Sequence, residues 1–264
     1  MSTKLNCPLS VSVFLSQFLI ELKTLLPYQD LIGVYATGSL SYGGFDPSKS
    51  DIDLCVLTSH PLRPKQIKQL EKLHHSLGQF DPEWSTRLEC SYIPIGYFYN
   101  TTPPKSPRPY FNGHFYPAAP YGPEWAINYA LIYDFALPLY GPDIQELIEP
   151  IPMTAVKAAC LQDIREEWAP KITDSKLLND PAYQAYIPLT LCRSLYTLAC
   201  DKITTKNQAA EWAKQQLGSR WSNLITTAQN WKPSQPLKLQ AEVAAFIQFC
   251  VNETNKQQIL IDKR

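Results

Sequence analysis

Apolar positions along this chain alternate between helical and strand spacing in the first half and keep helical spacing alone in the second. Phe14, Leu15, Phe18, Leu19, Leu22 and Leu25 recur every three or four positions, which predicts an amphipathic helix over residues 11–26. Ser16, Gln17 and Glu21 interrupt the run and no small-residue cleavage site follows, so it reads as a core helix and not as a leader. Residues 31–37 and 52–58 read as buried strands with a Gly/Ser turn between them. Ile67, Leu70, Leu73 and Leu77 share one face of a helix over about 65–79, and residues 87–93 make a third strand. From Tyr97 to Trp125 the periodicity fades. Eight of the 23 prolines lie between Pro94 and Pro123, and this predicts a long extended excursion that its many aromatics keep ordered. A helix over about 124–135 leads to Tyr140, Gly141 and Pro142, and Pro150 with Pro152 marks a boundary. Beyond it the expected helices run over about 153–168, 181–201, 205–217, 219–230 and 239–256, enough for an antiparallel bundle. The expected fold is α+β: a mixed sheet with helices over residues 1–150, then an all-α helical domain over residues 151–264.

Charge narrows the partners. Twenty-four Lys and Arg offset 24 Asp and Glu in 264 residues, which argues against nucleic acid, whose binders carry an excess of cations. No apolar run approaches the roughly 20 residues that span a bilayer, so no membrane partner is expected. Cys7, Cys55, Cys90, Cys160, Cys192, Cys200 and Cys250 are odd in number and form no C-x-x-C pair, which suits reduced thiols in a cytoplasmic protein. His74 and His75 are adjacent on a predicted helix and point different ways, while His60 and His114 have no neighbour at metal spacing, so no zinc site is expected.

The chemistry concentrates in residues 33–56. Asp51 and Asp53 are two apart at a strand start and leave the same face, where their charges repel unless a cation sits between them. Mg²⁺ suits such oxygen ligands, although a D-x-D at a strand end is also a common solvated turn. Gly38 and Ser39 directly follow the preceding strand. Glycine allows close backbone approach, and the amides that follow, with the Ser39 hydroxyl, can cradle phosphate oxygens. Glu89 lies amid apolar residues of the third strand. It is either an edge charge that discourages aggregation or, if the strands are neighbours, a carboxylate that reaches the metal pair and serves as general base.

The string Gly38-Ser39-Leu40-Ser41-Tyr42-Gly43-Gly44-Phe45-Asp46-Pro47-Ser48-Lys49-Ser50-Asp51-Ile52-Asp53-Leu54 resembles the nucleotidyltransferases with a DNA polymerase β-like fold, and within them the aminoglycoside adenylyltransferases that modify streptomycin and spectinomycin. Arg87-Leu88-Glu89 resembles that family's strand with the catalytic glutamate, and residues 136–142, 189–196, 202–206 and 209–213 resemble later segments in order. The resemblance implies ATP held between two domains, Ser39 and Ser50 on its phosphates, Mg²⁺ on Asp51, Asp53 and Glu89, and Glu89 deprotonating the acceptor hydroxyl. It also implies nucleotide contacts from Arg193, Lys206 and Trp231. The implied reaction moves AMP onto a hydroxyl of an aminoglycoside or aminocyclitol and releases pyrophosphate. The chain departs from the family on the acceptor side, where no tryptophan follows Glu89 at the expected place; Phe115 and Asp180 are the substrate-binding candidates, with Phe111 and Trp125 as other aromatics. Two alternatives remain at this point: another small-molecule or protein acceptor, or a nucleotide-binding regulator without turnover.

Overall fold

The computed structural model describes residues 5–261, with side chains to Asn255, and divides into one unit of Met1–Gly122 and Asn128–Ile151 and another of Pro123–Ile127 and Pro152–Arg264. In the first, α1 (Leu9–Leu25) leads into β1 (Leu31–Thr37), the single turn α2 (Gly38–Ser41) and β2 (Ile52–Thr58). Then come α3 (Pro64–Phe80), α4 (Pro82–Thr86) and β3 (Leu88–Pro94), followed by β4 (Arg108–Asn112), β5 (Phe115–Ala119) and, after the helix α5 (Trp125–Phe135), β6 (Leu137–Tyr140). The strands form one sheet in the order β5-β4-β3-β2-β1-β6. Only β2 and β3 run parallel, because α3 and α4 carry the chain back across the sheet between them.

Helical spacing decides what covers this sheet. Val11, Phe14, Leu15, Phe18 and Leu22 on α1, and Leu70, Leu73 and Leu77 on α3, are buried against Val34, Ala36, Ile52, Leu54, Val56, Leu88, Cys90 and Tyr92. Each such leucine or phenylalanine contributes roughly 1.5–3 kcal/mol by leaving water. One sheet face is thereby committed to the core, and the period of two sends the intervening residues to the other face.

The Pro- and Tyr-rich stretch is not the extended excursion the sequence suggests. After a 3₁₀ turn at Ile95–Tyr99 it folds into the β4–β5 hairpin and widens the sheet by two strands. Gly113 turns the chain at φ 64°, and Phe111 pairs with Phe115 across it. The prolines are compatible with this: Pro117 is on the edge strand, where a missing N–H costs no central ladder bond, and Pro109 falls where the β4–β5 register shifts.

His74 belongs to the same core. Its Nε2 is 2.8 Å from the Tyr92 hydroxyl and its ring stacks on Phe111 at 4.1 Å, while His75 is exposed. Burial lowers the His74 pKa to about 3. Between about pH 6.5 and 3 the unfolded chain therefore binds a proton that the native one refuses, and stability falls with falling pH by at most about 1.4 kcal/mol per unit from this group. Urea unfolding from pH 7 to 4 is expected to show a shallower loss for His74→Leu than for the parent; parallel curves would refute the assignment.

The second unit is helical. The expected helix over 153–168 is α6 (Met153–Gln162) continued by a π-helical turn, Asp163–Trp168, and a 3₁₀ turn, Ala169–Thr173. α7 (Ser175–Leu178), α8 (Pro181–Cys200), α9 (Lys206–Gln216), α10 (Ser219–Asn230) and α11 (Gln240–Ile261) follow, and α6, α9, α10 and α11 all pack on α8. Among the described residues no helix is long and apolar enough to cross a membrane, and all seven cysteines are free thiols.

Candidate active site

The sheet face away from α1 and α3 carries the carboxylates. Thr37, Asp53, Glu89 and Asn112 are direct cross-strand partners on β1, β2, β3 and β4. Adjacent strands lie about 4.8 Å apart, so the Asp53 and Glu89 carboxylates emerge side by side. Behind them the next row on this face is Tyr35, Cys55, Ser91, Tyr110 and Tyr116. Between the two rows, Ala36, Leu54, Cys90, Phe111 and Phe115 point into the core.

Gly38 is fitted to Asp53. It has φ 59°, and a Cβ built on it would stand 1.9 Å from Asp53 Oδ2, so only glycine lets the turn close over that carboxylate. Ser39 is the second residue of the single helical turn α2, whose first amides have no partner within the turn. The loop back to β2 is tied internally: Gly44 N–H donates to the Ser39 carbonyl at 3.0 Å and Asp46 N–H to Ser50 Oγ at 2.9 Å. Asp51, just ahead of β2, keeps 64% of its side chain exposed.

A residue that the sequence reading treated only as part of a motif holds this loop. Arg87 donates from Nη1 to the Pro47 carbonyl at 2.9 Å and from Nη2 to the Ser50 carbonyl, with Nε 3.9 Å from Asp51 Oδ1. Its guanidinium also lies 4.4 Å above the Trp84 ring. Nη1 is also 3.7 Å from Glu83 Oε1, an i,i+4 pair; the two hydrogen bonds that tie the loop go to backbone carbonyls, which no residue pattern advertises. Arg87→Gln is expected to cost about 1–3 kcal/mol of stability through lost charged hydrogen bonds and to weaken Mg-ATP binding by freeing Asp51. Urea unfolding and calorimetry would register both changes; unaltered nucleotide affinity would show that the clamp is not needed for the site.

Glu89 also has a neighbour on β4. The Tyr110 hydroxyl donates to it, and burial together with the Glu89 charge raises the Tyr110 pKa, so the phenol keeps its proton. Phe115, expected near the acceptor, is instead on the core face, 7% exposed with its ring 5.7 Å from His74. Phe111 and Trp125 are buried as well. Tyr116, next to Phe115 and of opposite phase, is the aromatic that β5 presents on the carboxylate face.

The remaining expected residues are on the helical unit. Lys206 Nζ rests 3.8 Å over the Tyr186 ring at the start of α9. Arg193 on α8 is half-buried and acts on Asp163, whose carboxyl burial pushes up to about 6 against the opposing hydrogen bond from Trp168 Nε1. Trp231 caps α10, its Nε1 donating to the Gln235 carbonyl at 2.9 Å. Asp180 is exposed and caps α8 by accepting from Ala182 N–H at 2.8 Å.

Among the described residues no three His, Cys, Asp or Glu side chains form a ready-made metal cage. The donor set fits Mg²⁺ in another way. That ion commonly takes one or two carboxylates and completes its shell with water and substrate phosphate, and Asp53 faces the Gly38 turn where phosphate oxygens can approach.

A family model for the nucleotidyltransferase domain matches residues 15–101, the stretch from α1 through β3 that contains Gly38, Asp51, Asp53 and Glu89, so the first unit is a nucleotidyltransferase. A second, the aminoglycoside adenylyltransferase C-terminal domain, matches residues 146–254. A spectinomycin 9-adenylyltransferase of Campylobacter jejuni is 30% identical over 212 residues, 75% of this chain and 76% of that one. One from Staphylococcus aureus is 27% identical over 198 residues, covering 69% and 70%. The crystal structure of spectinomycin adenyltransferase AAD(9) from Enterococcus faecialis with ATP and spectinomycin shares the fold, with a TM-score of 0.74 at 20% identity over 92% of this chain and 99% of that one. The chain belongs to the aminoglycoside adenylyltransferase family and is an adenylyltransferase enzyme.

Proposed function

We propose that this enzyme transfers AMP from ATP to a hydroxyl of an aminocyclitol or aminoglycoside antibiotic of the spectinomycin or streptomycin type, with release of pyrophosphate. The observation that carries the reading is the paired register of Asp53 and Glu89 beside the Gly38 turn, in a chain whose relatives are named spectinomycin 9-adenylyltransferases. In this proposal residues 1–150 do the chemistry and residues 151–264 add nucleotide and acceptor contacts.

Asp51 and Asp53 would hold Mg²⁺, with Glu89 able to complete its carboxylate set; the bound ion would offset phosphate charge in the transition state. The α2 amides with Ser39, and Ser50 in the loop, orient the phosphates. Glu89 accepts the proton of the acceptor hydroxyl as that oxygen bonds to the α-phosphorus and the bond to pyrophosphate breaks. From the helical part, Arg193 and Lys206 are assigned to the nucleotide as cations and Trp231 as an aromatic flank. Asp180 is assigned to a cationic amine of the drug. The activity fits a cytoplasmic setting, where ATP and reduced thiols are both the rule.

The test is incubation with Mg-ATP and a panel of aminoglycosides and aminocyclitols, followed by mass spectrometry. A drug that gains AMP, with growth protection of cells expressing the chain, is expected. No modified drug and no protection would sink the antibiotic reading.

A further inference from the structure

We propose that Tyr110 is the positioning residue for Glu89, fixing one oxygen of its carboxylate so that the other stays aimed at the reacting hydroxyl; this rests on the reading of Glu89 as the base. The placement comes from the hairpin. Ser91 pairs with Tyr110 and Glu89 with Asn112, so Tyr110 is the diagonal neighbour of Glu89 on the same face, within reach of an aromatic side chain. The Tyr110 hydroxyl donates to Glu89 and accepts from Asn112 Nδ2 at 3.2 Å, which makes a directed chain from Asn112 through Tyr110 to the carboxylate.

The phenol ring is itself held. The Arg108 guanidinium is 5.2 Å from its centroid and the Tyr116 ring 6.0 Å. Arg108 is anchored in turn by the Pro120 carbonyl at 2.7 Å, by Ser91 Oγ at 3.3 Å and by the Tyr121 ring at 4.3 Å. Glutamate has three side-chain torsions and no stiffness of its own. A donor held from several sides removes that freedom before substrate arrives, as a precise proton transfer requires. The aromatic, proline-rich hairpin thus has a task beyond lengthening the sheet: it brings a rigid hydroxyl to the base.

Tyr110→Phe keeps the ring and removes only the donor. With Mg-ATP and spectinomycin as substrates, kcat is expected to fall about ten- to a hundred-fold, while KM for Mg-ATP and the unfolding midpoint stay at parental values. Asn112→Leu, which removes the hydrogen bond behind Tyr110, should lower kcat by a smaller factor. In a Glu89→Gln background, adding Tyr110→Phe should change the residual rate little, because the two act through one group. Unchanged kcat in Tyr110→Phe, or parallel losses of kcat and nucleotide binding, would overturn the proposal. So would a full additional loss in the double variant. If Glu89→Gln is inactive and Tyr110→Phe is normal, the positioning role alone fails. If Glu89→Gln turns over at the parental rate, the reading of Glu89 as base fails, and the positioning role with it.

Discussion

Glu89→Gln is expected to bind Mg-ATP about as tightly as the parent and to lose AMP transfer by about 10²–10⁴-fold, the usual contribution of a positioned general base. The substitution is nearly isosteric, and the amide oxygen can still accept from the Tyr110 hydroxyl, so β3 and β4 keep their pairing. What disappears is the capacity to take up a proton next to Asp53. Isothermal calorimetry with ATP and Mg²⁺, set beside mass-spectrometric rates of drug adenylylation, separates the two effects. Unreduced turnover would remove Glu89 from the base role. Loss of ATP binding in step with turnover would leave it as a ligand of the nucleotide's metal and not the base.

Gly38→Ala is expected to abolish Mg-ATP binding and turnover while leaving the fold in place. The new methyl would stand 1.9 Å from Asp53 Oδ2, far inside contact distance, and φ 59° already strains any residue with a Cβ. The backbone strain is about 1–2 kcal/mol, which a nucleotidyltransferase domain of this size tolerates. The collision is relieved by moving either the Asp53 carboxylate or the α2 turn, and each movement separates the α2 amides from the Asp53 oxygens, the two groups proposed to hold phosphate and metal. Circular dichroism and calorimetry would show a folded protein that no longer binds Mg-ATP. A variant with parental affinity would mean that the turn and Asp53 do not serve one site.

The carboxylates were legible because their spacing is local. Asp51 and Asp53 flank one apolar position, and Glu89 interrupts an apolar strand, so alternation alone sends Asp53 and Glu89 to one sheet face, opposite the face packed by α1 and α3. The bundle helices were legible within a few residues for the same kind of reason, save that the π-helical turn at Asp163–Trp168 leaves the 3.6-residue pattern nearly intact and gave no sign of itself. The hairpin was missed although Asn112-Gly113 is a strong hairpin signal, because the surrounding prolines argued against strands. That omission put Phe115 at the acceptor. A strand turned at Gly113 buries Phe115 and presents Tyr116, and a difference of one residue in phase is a difference of face. Arg87 and Tyr110 were illegible in another sense, since each acts on a partner that only the folded register brings near.

AMP transfer by this enzyme is tested most directly by the fate of labelled phosphorus. The enzyme is incubated with spectinomycin, Mg²⁺ and ATP labelled separately at the α- and the γ-phosphorus. α-Label is expected in the drug and γ-label in pyrophosphate, with both transfers lost in Glu89→Gln. Label from the γ-phosphorus in the drug, or α-label transferred equally well by Glu89→Gln, would contradict it.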